Sequence, residues 1–149
     1  MSLGVRPIRP PDVPAAVRAI LDGAAVPDAE DPEDVASYWA AVESTRERGG
    51  EVLVAEDDGV VVGVCQLVVF RHFMHQGGWC AEIESVFVRA DHRGRGAGAA
   101  LIAAAESRAR AAGCYRIQLT SRNERLDAHR FYVAHGYGAT HQGFKKSLA

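Results

Sequence analysis

Residues 86–98 read Val-Phe-Val-Arg-Ala-Asp-His-Arg-Gly-Arg-Gly-Ala-Gly, and an alanine-rich stretch follows at once. A β-branched run thus empties into a loop that carries Arg93, Gly94, Arg95, Gly96 and Gly98. A helix is predicted to leave that loop at Ala97. The first turn of a helix has backbone N–H groups without intrahelical partners and a partial positive charge. Glycines let an anion approach those groups, so the segment is suited to holding a phosphate. The functional question becomes which phosphate.

Size and charge narrow the answer. A chain of 149 residues can build one domain with a real core, and a single domain over residues 1–149 is expected. The formal net charge of −2 gives no basis for nucleic-acid or membrane binding. No stretch approaches the roughly 20 apolar residues of a membrane span. The N-terminus lacks a signal-peptide pattern, and a cytoplasmic location is expected. Three cysteines, Cys65, Cys80 and Cys114, are too few and too widely spaced for a disulfide framework. Cys80 lies near the chemistry considered below, but no activating partner can be read beside it.

Periodicity supplies the elements. Val5–Arg9 reads as a short first strand. Asp12 is expected to cap a helix running to about Leu21, with Val13, Val17, Ile20 and Leu21 facing inward. An acidic turn covers residues 27–34. A second helix from Glu33 to about Arg48 carries Val35, Tyr38, Trp39 and Val42 and ends at Gly49-Gly50. Glu51–Glu56 and Val60–Phe70 are strands joined by Asp57-Asp58-Gly59, a strong hairpin signal. A loop with two histidines leads to a strand over Trp79–Val88. The helix after the glycine loop stops at Gly113. Tyr115–Thr120 is a strand, Leu126–His135 a short helix, and the tail from Tyr137 to Leu148 is expected to add one or two more strands.

A Walker A loop requires Lys-Ser/Thr after its last glycine, and this loop ends Gly98-Ala99-Ala100. A dinucleotide fingerprint is formally matched from Gly94 to Ala99. It also needs an acidic residue about 20 positions on, and residues 114–121 contain none. The spacing Arg93-x-x-Gly96-x-Gly98 after a valine-rich strand instead resembles the pyrophosphate motif of the GNAT N-acetyltransferase superfamily. Asp127-Ala-His-Arg-Phe-Tyr-Val-Ala-His-Gly-Tyr137 resembles that family's C-terminal helix motif. The stretch from Trp79 through Leu148 is similar to aminoalkylphosphonate N-acetyltransferases. The resemblance implies an α+β fold of the GNAT type. Its sheet is mixed but mostly antiparallel and splayed between the fourth and fifth strands, with about four helices around it. It also implies acetyl-CoA as cosubstrate and a homodimer.

Carried over residue by residue, the resemblance gives a site. Backbone N–H groups of Gly94, Arg95, Gly96, Ala97, Gly98 and Ala99 would hold the pyrophosphate, with Arg93 or Arg95 adding a charged hydrogen bond; the alternative is that both arginines only solvate the turn. The pantetheine arm would run along Val86 and Val88, and a main-chain N–H near Val86 or Phe87 would meet the oxyanion. Asn123 either bonds the cofactor arm or caps a turn. An alkylamine with pKa about 10.4 must lose a proton before it attacks. Glu82 and Glu84, two apart on a strand, share a face and raise each other's proton affinity. Val86 and Val88 extend that face if no bulge intervenes. The glutamates stand eleven and nine positions before Arg93, the two spacings at which family members place a base, and Glu82 is favoured. Tyr132 occupies the general-acid position for the departing thiolate.

The acceptor pocket is expected to use Tyr38, Trp39, Arg71, His72 and His75, the last three suited to an anionic group. His72-x-x-His75 without further ligands is weak grounds for a metal, and none is expected. The reading is direct acetyl transfer to a small primary amine in a ternary complex, with no acyl-cysteine. A protein N-terminus or lysine side chain is one rival acceptor. A non-catalytic acyl-CoA sensor is the rival of a different class, and the presence of Glu82, Glu84 and Tyr132 counts against it.

Overall fold

The structure, a computed structural model, describes residues 2–149. It divides into two compact units, Met1–Ile117 and Gln118–Ala149. The first holds a sheet in the order β1 (Leu3–Pro7), β2 (Glu51–Asp57), β3 (Val60–Arg71), β4 (Trp79–Val88) and β5 (Arg116–Gln118). The first four strands pair antiparallel with their sequence neighbours, and β5 runs parallel to β4. Asp58 and Gly59, both at positive φ (49° and 81°), make a two-residue turn between β2 and β3. Both central positions of such a turn need that conformation, so Asp-Gly fixes the register of the long hairpin.

Two helices, α1 (Val13–Leu21) and α2 (Val35–Glu47), cover one face of the sheet. Val13 and Val17 are buried there with Val42 of α2, Val52 and Val54 of β2 and Val64 of β3. Each such side chain contributes about 1.5–3 kcal/mol on leaving water. The third helix, α3 (Ala97–Ala111), lies on the opposite face. Leu101 there comes 3.2 Å from where a Cβ on Gly63 would stand, and Leu53, Leu67 and Ile102 are fully buried.

Two local expectations are corrected. Asp12 precedes α1 but does not cap it. Its carboxylate turns back to take two hydrogen bonds from the Arg6 guanidinium, at 2.7 and 2.9 Å, and one from the Arg9 N–H. Arg6 also bonds Glu56 at 3.0 Å. A bidentate guanidinium outcompetes one helical N–H for a carboxylate. The strands expected in the tail are absent: residues 137–149 are irregular. Phe144 and Leu148, the tail's large apolar residues after Tyr137, are 89% and 94% exposed, so no apolar face holds a strand there.

The second unit contains α4 (Leu126–Ala134). Arg130 pairs with Asp127 one turn earlier, and His129 Nε2 donates to the Arg122 carbonyl at 2.8 Å. Among the described residues no helix is long and apolar enough to cross a membrane.

Candidate active site

The loop between β4 and α3 is shaped by its glycines. Gly94 and Gly96 take φ of 77° and 93°. Gly96 is the N-cap of α3 and brings no side chain to satisfy the helix start. The bond from the Ala100 N–H to the Gly96 carbonyl, 3.0 Å, is the first of the helix. The N–H groups of Ala97, Gly98 and Ala99 therefore have no intrahelical acceptor. No acidic residue sits in that first turn to compete for them. Arg93 donates to the Val88 carbonyl at 3.2 Å and to the Asp22 carbonyl at 3.3 Å. Those two bonds tie the loop to the ends of β4 and α1. Arg95 is exposed and, among the described residues, held by no hydrogen bond or ion pair. These groups fit a diphosphate: three free N–H donors, a positive helix end and one uncommitted guanidinium.

Immediately upstream, β4 is irregular. Gln66 faces Glu84 and Val64 faces Phe87, so Cys65 alone stands opposite Ser85 and Val86. This is a β-bulge, and Ser85 takes a left-handed φ of 55° at a cost of about 1–2 kcal/mol. The extra residue resets the alternation. Glu82 and Glu84 share the α1/α2 face with Val68 and Gln66. Beyond the bulge Phe87 returns to that face, not Val86 or Val88 as plain alternation would have it. Phe87 packs against the cluster under α1 and α2. Below the bulge, burial pushes the Cys65 thiol up to about 12, leaving it a neutral packing group.

The edge of β4 is also opened on its other side. The Tyr115 N–H bonds the Trp79 carbonyl at 2.9 Å, and β5 then lasts only to Gln118. Ten-residue β4 thus outruns three-residue β5, and among the described residues its end toward Val88 has no strand partner on that side. That is the expected splay.

Glu82 and Glu84 are half-buried. Beside them, Gln66 donates to the Thr45 hydroxyl at 3.0 Å, anchoring the end of α2 to this face. Cys80, on the same strand, is fully buried. Tyr38 and Trp39 pack on the core cluster. The Tyr38 hydroxyl donates to Glu30 at 2.7 Å and accepts from the Asp31 N–H at 2.9 Å. Burial first, and then the Glu30 carboxylate, hold that hydroxyl above its ordinary range. The Arg46 guanidinium covers the Trp39 ring at 5.1 Å.

Arg71, His72 and His75 sit at the far end of the β3–β4 hairpin, and they do not act as one group. Arg71 pairs with Trp79, lays its guanidinium 5.5 Å from that ring and donates to the Gly77 carbonyl at 2.8 Å. His72 instead meets Phe70 edge-on at 5.1 Å and hydrogen-bonds the Tyr115 hydroxyl through Nδ1. His75, at φ 51°, stacks near Tyr115 with ring centres 4.6 Å apart. An open depression of about 420 Å³ lies here, lined by His75, Gln76, Gly78, Trp79, Gly113 and Tyr115. Tyr115 and Trp79 escaped the sequence reading as site residues. The signal available was the alternation that puts Tyr115 at the entry to β5.

Tyr132 and Asn123 belong to the second unit. The Tyr132 ring meets Phe131 and Tyr137 at 5.3 and 5.9 Å. Asn123 is not the N-cap of α4; Arg125 is.

This arrangement coincides with a known family. Residues 16–137 match the Acetyltransferase (GNAT) family. The chain is 31% identical, with a TM-score of 0.89, to a crystal structure from Bacillus halodurans C-125 described as a transcriptional regulator, covering 99% of this chain and 100% of that one. A glucosamine-6-phosphate N-acetyltransferase from Arabidopsis thaliana shares the fold at 16% identity and a TM-score of 0.82, each chain fully covered. An aminoalkylphosphonate N-acetyltransferase of Salmonella typhimurium is 40% identical over 91 residues, 61% of this chain and 58% of that protein. The chain belongs to the acetyltransferase (GNAT) family, whose members use acetyl-CoA.

Proposed function

We propose that this protein transfers an acetyl group from acetyl-CoA to the primary amine of a small molecule, directly and within one ternary complex. The observation that carries the proposal is the run of features along β4. Two carboxylates share one half-buried face, a strained bulge follows, and an open helix start with free N–H groups comes next. The curated relative is named for an amine-bearing small molecule, which supports that acceptor class.

Acetyl-CoA supplies an activated thioester carbonyl. The Ala97, Gly98 and Ala99 N–H groups and Arg95 hold the diphosphate. Glu82, assisted by Glu84, takes the ammonium proton directly or through a water, freeing the lone pair. The amine nitrogen adds to the carbonyl carbon to give a tetrahedral oxyanion, and the carbon–sulfur bond breaks as that adduct collapses. The bulge leaves main chain at Ser85–Val86 outside the β3 ladder, and an N–H there stabilises the oxyanion. By the family motif alone, Tyr132 is assigned to protonate the departing thiolate, a transfer with little pKa mismatch, about 10 against 8.5, and the extra proton left on the acetylated nitrogen restores the phenol. Full burial of Cys80 supports transfer without an acyl-cysteine.

The test is thiol release from acetyl-CoA across a panel of amines. Glu82→Gln is expected to lower kcat/KM at neutral pH by about 100-fold or more, and the deficit should shrink as pH rises and free amine becomes abundant. Tyr132→Phe is expected to lower kcat with little change in KM. Unchanged turnover in both variants would remove this mechanism.

A further inference from the structure

The two carboxylates of β4 have unlike neighbours, and the difference reaches a residue that carries no motif signal. Glu82 faces Val68 across the ladder, whereas Glu84 faces Gln66. Directly opposed side chains on one face have Cβ atoms about 4.5–5.5 Å apart. Gln66 is not free to choose its pose. Its Nε2 donates to the Thr45 hydroxyl at 3.0 Å, and that hydroxyl spends its own proton on the Ala41 carbonyl at 2.7 Å. Thr45 can therefore only accept from Gln66, which fixes the amide: nitrogen to α2, Oε1 left over. Thr45 is itself buried, and Gly50 lies against it; a Cβ there would run into the Thr45 methyl and the Leu67 carbonyl.

Among the described residues Gln66 Oε1 meets no donor, and the Glu84 carboxylate takes part in no hydrogen bond or ion pair. Two acceptors thus occupy facing positions with nothing donating to either. A group that serves both must carry at least two hydrogens on one atom. An alcohol or thiol brings one. An ammonium brings three, with a charge opposite to that of Glu84.

Resting on the acetyl-transfer reading above, we infer that Gln66 binds the acceptor: its Oε1 and the Glu84 carboxylate together hold the amino group, and Thr45 is the positioning residue that sets the amide. Glu82, about 7 Å along the same face, remains the group that takes the proton. The two carboxylates then have separate tasks, one seating the nitrogen and one deprotonating it.

Butylamine, benzylamine and ethanolamine share this head group and little else. For each that is turned over, Gln66→Met, which keeps the chain length and drops the amide, should raise the amine KM about tenfold. The kcat should stay within about twofold, and KM for acetyl-CoA should not move. Thr45→Val should raise the amine KM about threefold, and Thr45→Ser, which keeps the hydroxyl, should restore it. Glu84→Gln sets an N–H opposite Oε1. It should raise the amine KM about tenfold or more and yet lift the melting temperature by about 2–4 °C, a gain that shrinks when Gln66→Met is added. An unchanged amine KM in Gln66→Met overturns the inference, and so does a loss of kcat alone, the mark of a held water. Thr45→Ser behaving as Thr45→Val overturns it too, as does turnover of other amines but none of these three. Absence of thiol release with every amine in the wild type overturns the transfer reading itself, before any variant is made.

Discussion

The two ends of β4 are built from different materials. Toward Val88 the backbone carries the features that matter: a bulge at Ser85, two left-handed glycines and three N–H groups at the start of α3. Toward Trp79 side chains carry them: Arg71 over Trp79, and His72 bonded to Tyr115. Backbone donors suit a ligand part common to all turnovers, because they cannot be exchanged by substitution. Side chains suit the part that distinguishes one acceptor from another. On the proposed reading, the donor would be held by fixed backbone groups and the acceptor by exchangeable side chains along one strand.

That division can be broken most directly at Gly96. Valine there must adopt φ 93°, and a misplaced helix start should weaken acetyl-CoA binding by about 2 kcal/mol, roughly thirtyfold in Kd. Titration calorimetry measures it, and the Tyr115→Phe protein should bind acetyl-CoA as the wild type does. If both weaken alike, the two ends are not separate.

A smaller effect is expected away from both ends. Asp12→Asn should destabilise the protein by about 1–2 kcal/mol at pH 7, read from urea unfolding, because it strips charged hydrogen bonds from Arg6. The Arg6 hydrogen bonds hold the Asp12 carboxyl below its ordinary 3.8. A lowered folded-state pKa contributes stability above the unfolded value and loses it as pH falls through the folded one. The gap between wild type and variant should thus be full above about pH 5 and close below the ordinary carboxylate value. Acetyl-CoA affinity should not change.

The smallest effect sharpens the donor end. Arg95→Ala should weaken acetyl-CoA binding a few-fold, about 0.5–1 kcal/mol, and less at high salt, since the side chain is exposed. Arg93→Ala should instead lower the melting temperature, because Arg93 ties the loop to Val88 and Asp22.

The donor end was the more legible in sequence. Glycine spacing reports backbone conformation directly, and the Asp58-Gly59 turn was readable for the same reason. The shared face of Glu82 and Glu84 followed from strand periodicity. The bulge did not, because the residue at its left-handed position is Ser85, which carries no glycine signature. Arg71 and His72 were grouped by proximity, although alternation sends neighbours to opposite faces. The bond between His72 and Tyr115 joins residues 43 positions apart and becomes visible only with the strand order. Asp12 looked like a cap because its competitor, Arg6, belongs to another element.

The odd residue at Ser85 also constrains how this chain can vary. It acts as a half-step of phase: upstream, even-numbered positions point to the α1/α2 face, and downstream, odd-numbered ones do. Losing or gaining one residue between 82 and 88 would leave the acids and the loop out of step, each correct only where the other is wrong. Length changes should therefore be purged from that stretch and collect instead in the hairpin tip around Phe73 and Met74, where the side chains already stand in solvent.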